Sequence, residues 1–281
     1  MKILYPLAKR FIAGHDFDSA KPKIQKLLDE GYEVSIDYVG ELSSSIEDCR
    51  KATAQYLKII KYYQRKKIDI SIKPSQLGLL IEPIISYQNL SRIARRAKKF
   101  GHTIRLDMED SRVTHMTINQ AISLNKKYGN VGVAIQANLR RTKEDLKILI
   151  NNNVSVRLVK GAYKEKENIS FQTKFDIGAN FFSNAYTLYK EGSNRPAVGT
   201  HDVELLEDIE ELLPNAGYFD YEFLYGIRRD LQESFKYKGH TVRIYVPFGE
   251  SWLPYTLRRL KEWKNLKFVA INIFKECFNK T

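Results

Sequence analysis

Residues 245–262 read Tyr-Val-Pro-Phe-Gly-Glu-Ser-Trp-Leu-Pro-Tyr-Thr-Leu-Arg-Arg-Leu-Lys-Glu. The β-branched and aromatic run Val242 to Val246 predicts a strand, which Pro247 and Gly249 are expected to stop. Trp252 to Trp263 then carries helical spacing, with Pro254 tolerable in the first turn. On a helical wheel Leu253, Leu257 and Leu260 form one stripe, and Tyr255, Arg258, Arg259 and Glu262 fall on the opposite side. Two adjacent guanidiniums beside an aromatic ring suit a small carboxylate, because the planar fork makes bidentate, charge-assisted hydrogen bonds that an ammonium does not. The same spacing equally describes a polar face turned to water.

Upstream, the strand-then-helix unit recurs. A helical segment near Ala20–Glu30 precedes a predicted strand at Glu33–Val39 and a long helix over Ser44–Arg65. Strands follow at Asp69–Ile72, Thr103–Leu106, Val131–Gln136, Val154–Val159, Ala197–Gly199, Tyr218–Glu222 and Val242–Val246. Between them the periodicity predicts helices at Ser86–Phe100, Thr117–Tyr128, Thr142–Ile150, Phe171–Lys190, Val203–Leu212 and Gly226–Phe235. This alternation predicts an α/β fold, a (β/α)8 TIM-type barrel with an N-terminal helical segment, in one domain over residues 1–281; period counting alone also admits an open doubly wound sheet.

The chain has 281 residues, of which 43% are hydrophobic, enough for one sizeable barrel core. A net charge of +13 keeps nucleic acid and anionic membrane surfaces open as partners, but Lys is spread along the chain and no zinc or helix-turn-helix signature is present. The densest basic cluster, Arg95, Arg96, Lys98 and Lys99, reads as an exposed helix side. Cys49 and Cys277 have no metal-ligand spacing, which favours a reducing compartment. Residues 1–14 hold too short an apolar run for a signal peptide, and no run approaches the roughly eighteen apolar residues of a membrane span, so a soluble or peripheral protein is expected.

In a barrel the reacting groups sit where strands end. Those positions hold Glu41, Lys73, Asp107, Gln136, Arg157 with Lys160, Gly161 and Tyr163, Thr200 with His201, Leu224 with Tyr225, and Tyr245. Lys73 suits a carboxylate anchor or a Schiff-base nucleophile. Arg157 and Lys160 flank a strand end where Gly161 lets a flat ligand approach the backbone, and phosphate is one use of such a pair. Thr200-His201-Asp202 opens a helix, whose backbone donors could hold a phosphate. Asp107 and Glu109 could pair on a metal, yet no further His or Asp cluster completes the site, so no metal is expected. Rossmann, P-loop and serine-hydrolase markers are lacking. A Schiff-base barrel using Lys73 or Lys160 and a basic binding protein are the rival readings.

Several motifs carry a family resemblance. Arg157-Leu-Val-Lys-Gly-Ala-Tyr163, residues 71–79 (Ser-Ile-Lys-Pro-Ser-Gln-Leu-Gly-Leu), Gly199-Thr-His201, Phe223-Leu-Tyr-Gly226, Arg10-Phe-Ile-Ala-Gly14 and the 245–262 stretch resemble proline dehydrogenases of the monofunctional bacterial type, in the right order over nearly the whole chain. The resemblance implies a distorted barrel with its C-terminal helix over the mouth, which binds FAD and oxidises L-proline to pyrroline-5-carboxylate. It implies further that electrons pass to a quinone, and that a separate pyrroline-5-carboxylate dehydrogenase completes proline catabolism to glutamate. Carried over, Lys73, Arg258 and Arg259 hold the substrate carboxylate, Tyr245 and Leu224 wall the ring, and Tyr255 and Glu262 complete the pocket. Asp107 orients the tyrosine or lysine, Arg157 lies beside flavin N5, and Gln136 lies near the pyrimidine edge. Val159, Lys160, Gly161, Tyr163, Thr200 and His201 line the cofactor, and Glu41 matches a loop carboxylate that closes the site. Localisation is expected to be cytoplasmic or peripheral on the inner membrane face, through a basic amphipathic tail with the stripe Leu266, Ala270, Ile273, Phe274 and Cys277. Nucleic acid is not an expected partner. Pro74, Ser75, Asp220, Glu222, His15 and Asp16 depart from the family pattern, which touches the tuning of the pocket more than the reaction class.

Overall fold

The computed structural model describes residues 10–40, 42–213, 216–253 and 255–257. Asp16 accepts from Ser19 N–H at 2.7 Å while the Ser19 hydroxyl caps Asp16, and this box starts helix α1 (Phe17–Asp29). The barrel follows as β1 (Glu33–Tyr38), α2 (Ile46–Tyr62), β2 (Asp69–Ile72), α3 (Pro83–Lys99), β3 (Thr103–Leu106), α4 (Ser111–Tyr128) and β4 (Val131–Gln136). It continues with α5 (Thr142–Asn151), β5 (Val156–Val159), α6 (Lys174–Lys190), β6 (Ala197–Gly199), α7 (Val203–Leu212), β7 (Asp220–Leu224), α8 (Arg229–Tyr237) and β8 (Val242–Phe248). All eight strands are parallel and close in sequence order, with β8 returning to β1 from Glu33↔Arg243 to Tyr38↔Phe248. The expected (β/α)8 barrel is the observed fold, and the open sheet is excluded.

Strand alternation divides the side chains sharply. Val34, Ile36, Ile70, Ile72, Ile104, Leu106, Val156, Leu158, Tyr221, Phe223, Ile244 and Val246 belong to the apolar core, the layer in which the helices pack. The intervening positions fill the barrel interior with polar groups: Ser35, Asp37, Asp69, Ser71, Arg105, Arg157, Glu222 and Arg243 are all buried. Small residues give them room, since the register sets Arg157 beside Ala134 and Ala197, and a Cβ on Gly199 would lie 3.7 Å from Arg157 Cδ. Charges this deep persist only when paired. Asp69 accepts from Ser35 (2.7 Å) and Thr103 (2.5 Å), and Arg243 donates to Asp220 (2.6 Å) and to Glu33.

Several boundaries differ from the sequence reading. Strand β8 runs through Pro247 to Phe248. The carbonyl of Tyr245 faces β7, where Tyr225 N–H donates to it at 2.9 Å, and residue 247 faces the same side two positions later. By then β7 has ended, so the donor that proline lacks had no strand to meet; the Pro247 carbonyl instead accepts from Ala13 N–H at 2.8 Å. Helix α4 begins at Ser111 and not at Thr117, because the Asp110 carboxylate caps Arg112 N–H. Helix α8 begins at Arg229, after left-handed Gly226 and Arg228, and Tyr218 lies in a 3-10 turn ahead of β7.

The last described segment shows which positions of its helix are buried. Residues 252–253 and 255–257 are helical, with Trp252, Tyr255 and Thr256 buried and Leu257 41% exposed. Trp252 and Tyr255 join Phe11, Ile12, Val39 and Ile227 in a second apolar cluster, with Leu224 and Leu253 at its edge. Among the described positions, Tyr255, on the side expected at the mouth, is buried, and Leu257 of the leucine stripe is not.

Candidate active site

Parallel strands deliver their C-terminal ends to one rim, and there the side chains of β1, β2, β3, β5, β7 and β8 converge. Lys73, just past β2, places Nζ 3.1 Å from each carboxylate oxygen of Asp37, 3.3 Å from Asp107 Oδ2 and 3.4 Å from Tyr245 OH. The Tyr245 hydroxyl donates to Asp107 Oδ2 at 2.6 Å. Arg157 donates to the other oxygen of Asp107, to Glu222, and to Ser71 Oγ at 3.2 Å, and its guanidinium lies 5.2 Å from the Tyr245 ring centroid. Asp37 is fully buried, whereas the Lys73 side chain retains 19% exposure, so the ammonium is where this lattice meets the mouth.

The electrostatics follow from burial and pairing. Burial works against the Lys73 charge, but the carboxylates of Asp37 and Asp107 outweigh it, and the ammonium is held more firmly than an ordinary lysine's. For Arg157 burial is likewise overcome, by Glu222 and Asp107. Asp107 is pulled up by burial and pulled further down by Arg157 and Lys73, leaving it below the usual carboxylate range. Burial raises Asp37, with Asp107 adding to it, and burial raises Glu222 and the Tyr245 phenol as well. Below this layer burial also opposes ionisation of Asp69, yet Arg105 and Arg243 lower it to about 2.

On the β4–β6 side of the rim, Gln136 donates to the Glu109 carbonyl (2.9 Å) and accepts from Ala162 N–H (3.4 Å), tying the end of β4 to the loops after β3 and β5. Gly161 has φ +104°, and a Cβ there would fall 2.1 Å from Asn138 Oδ1, a buried acceptor that has no hydrogen-bond partner. Only a residue without a side chain lets the Asn138 amide pack this closely. Lys160 pairs with Asp202, and Thr200 Oγ1 accepts from Asp202 N–H at 3.2 Å. His201 Nε2 accepts from Leu224 N–H at 3.1 Å, which links β6 to the end of β7.

Of the sequence-derived residues, Lys73, Asp107, Arg157 and Tyr245 form one hydrogen-bonded lattice. Gln136, Val159, Lys160, Gly161, Tyr163, Thr200 and His201 lie on or after β4 to β6, and Leu224 and Tyr255 meet in the second apolar cluster. Arg157 and Lys160 do not converge as a pair: one is buried in the barrel and the other is turned to Asp202. Helix α7 opens at Val203, one residue beyond Asp202. Asp107 and Glu109 diverge, since Glu109 is bound to Ser75 through its N–H (3.0 Å) and hydroxyl. Glu41, Arg258, Arg259, Glu262 and the tail stripe Leu266 to Cys277 lie outside the described residues. Asp37 and Ser71 were missed. The signal for them was a polar residue at every second position of β1 and β2, on strands otherwise built from Val and Ile.

Residues 20–270 match the family model for proline dehydrogenase. The chain is 33% identical to "Proline dehydrogenase 2" of Bacillus subtilis (strain 168) over 261 residues, 91% of this chain and 86% of that one. It is 32% identical to the proline dehydrogenase of Deinococcus radiodurans over 284 residues, covering 97% and 91% of the two chains. Among solved structures, proline utilization A from Bdellovibrio bacteriovorus, inactivated by N-propargylglycine, aligns with a TM-score of 0.84 at 23% identity, a likeness of fold. That alignment covers 94% of this chain and 33% of the larger one.

Proposed function

The chain belongs to the proline dehydrogenase family, and from that premise we propose that it oxidises L-proline to pyrroline-5-carboxylate with FAD at the barrel mouth, residues 1–281 acting as one domain. The observation that carries this reading is the Lys73 ammonium, locked between Asp37, Asp107 and Tyr245 at the rim. A cation so held suits a substrate carboxylate. Arg258 and Arg259 join it, Tyr245 and Leu224 wall the pyrrolidine ring, and Tyr255 and Glu262 complete the pocket. In the reaction the neutral amine of proline gives up a C5 hydride, for which bound FAD would be the acceptor, and its nitrogen proton to solvent as the C5=N bond forms.

The β4–β6 rim fits a flavin. Its Gly161 backbone packed against the Asn138 amide, the unpartnered Asn138 acceptor and the amide-bearing Gln136 suit a flat ring with polar edges. Gln136, Arg157, Val159, Lys160, Gly161, Tyr163, Thr200 and His201 would hold it, and FAD when bound supplies the hydride acceptor. Arg157, fixed by Asp107 and Glu222, is a rigid positive charge, which favours charge developing nearby at no cost in reorganisation. Asp107 orients Lys73 and Tyr245 together, so that substrate meets a preset geometry.

A Schiff-base role is disfavoured on the same grounds. A nucleophilic lysine needs a lowered pKa, whereas that of Lys73 is raised and Lys160 is ion-paired. Electrons pass to a quinone, and the product to a pyrroline-5-carboxylate dehydrogenase that leads to glutamate. Among the described residues no helix is long and apolar enough to cross a membrane. Contact with the cytoplasmic membrane face would come through the basic amphipathic tail after Leu266, which places the protein in the cytoplasm or peripherally on that face. The test is an absorbance spectrum of the purified protein without oxygen. L-proline should bleach bound flavin and D-proline should not; a colourless protein that cannot be reconstituted with FAD would refute the reading.

A further inference from the structure

Asp37 lies in none of the motifs that carry the family resemblance, yet both of its oxygens sit 3.1 Å from Lys73 Nζ. We propose that Asp37 is a positioning residue for the reaction, aiming the Lys73 ammonium at the substrate carboxylate. The inference rests on the proline reading above. An ammonium has three N–H bonds to direct. Asp37 takes one of them between its two oxygens and Asp107 a second at 3.3 Å, while the Tyr245 hydroxyl, whose own proton goes to Asp107, is a distant acceptor at 3.4 Å. The third N–H is then left for the mouth, the side from which Lys73 is reached by solvent.

Asp107 cannot perform this task alone, because it also serves Arg157 and Tyr245. Asp37 is built for it. Its side chain is fully buried, and its backbone is pinned within the barrel by register with Ser71 on β2 and Pro247 on β8. A carboxylate on a rigid strand fixes its partner more tightly than one on a loop. The titratable groups facing Lys73 are Asp37, Asp107, Glu109, Tyr245 and, from the loop after β5, Tyr163. Removing the Asp37 charge therefore frees the ammonium to turn and weakens its hold on its proton.

The experiment compares wild type, Asp37→Asn, Lys73→Met and the double variant in steady-state kinetics with L-proline, alongside FAD content. Asp37→Asn keeps the shape of the side chain. It should lower kcat/KM roughly ten- to a hundredfold, mainly through KM. It should also bring in a basic limb of the pH profile below the wild type's, as the Lys73 pKa falls. In the Lys73→Met background the same change should cost nothing further, since a residue that acts through Lys73 has nothing left to act on. The double variant removes both members of the buried pair and should fold even if Asp37→Asn alone does not. Wild-type constants and pH profile in Asp37→Asn would overturn the proposal, as would an equal fold-loss in both backgrounds. Wild-type protein whose flavin proline does not bleach would instead sink the proline reading itself.

Discussion

Replacing Asp107 by Asn tests the lattice at its centre. The carboxylate accepts from Lys73, Tyr245 and Arg157, and its side chain is 9% exposed. Asparagine keeps the volume, but whichever way its amide turns, NH2 faces a donor: Arg157 on one side, Lys73 with Tyr245 on the other. Breaking a buried ion pair from one end costs about 3–5 kcal/mol. Lys73 retains Asp37 and Arg157 retains Glu222, so the lower end applies, about 3 kcal/mol. At about 2 °C per kcal/mol for a chain of this size, Tm should fall by roughly 6 °C. With Lys73 and Tyr245 both released, kcat/KM for L-proline should fall roughly a hundredfold or more. Thermal denaturation by circular dichroism and steady-state kinetics read the two effects separately. A variant with unchanged Tm and near wild-type kcat/KM would refute the view that Asp107 holds the site together.

Arg258→Met or Arg259→Met should each lower kcat/KM roughly ten- to a hundredfold with FAD content near normal, and Lys should rescue only partly. Wild-type kinetics in both Met variants would make this pair a solvated helix face. Gly161→Ala forces a left-handed residue to carry a Cβ against Asn138, and the purified protein should lose most of its flavin absorbance; full occupancy would remove Gly161 from the cofactor site. Asp69 is lowered from 3.8 to about 2, so its contribution of about 2 kcal/mol is complete above pH 4 or so and is lost as pH falls through about 2. Thermal melts in acid should show this loss in wild type and a flatter profile in Asp69→Asn, measured from each protein's own plateau.

The sequence by itself determined the layered alternation of eight strand and helix units; that the sheet closes as a barrel was decided by the pairing of β8 with β1. The strands at 69–72, 103–106, 131–136 and 197–199 were legible to the residue, because a short β-branched run bounded by polar turns has few other ways to be buried. Lys73, Asp107, Arg157 and Tyr245 were legible as a set because parallel strands bring their ends to one rim, whatever the details of packing. Their partners were a tertiary matter. Tyr245 and Asp107 are 138 residues apart, Arg157 and Glu222 are 65, and local periodicity carries no term for contacts across a closed barrel. The same limit hid the contact of Asp37, an unremarkable polar residue on β1 until closure set its carboxylate 3.1 Å from Lys73 Nζ. Spacing alone also left open which side of the last helix is buried. Trp252 and Tyr255 bury their rings against Phe11, Ile12 and Val39 with Leu253 at the edge, while Leu257 of the same stripe stays exposed. Which side of a helix faces inward is decided by the surface it meets, and that surface comes from the other end of the chain.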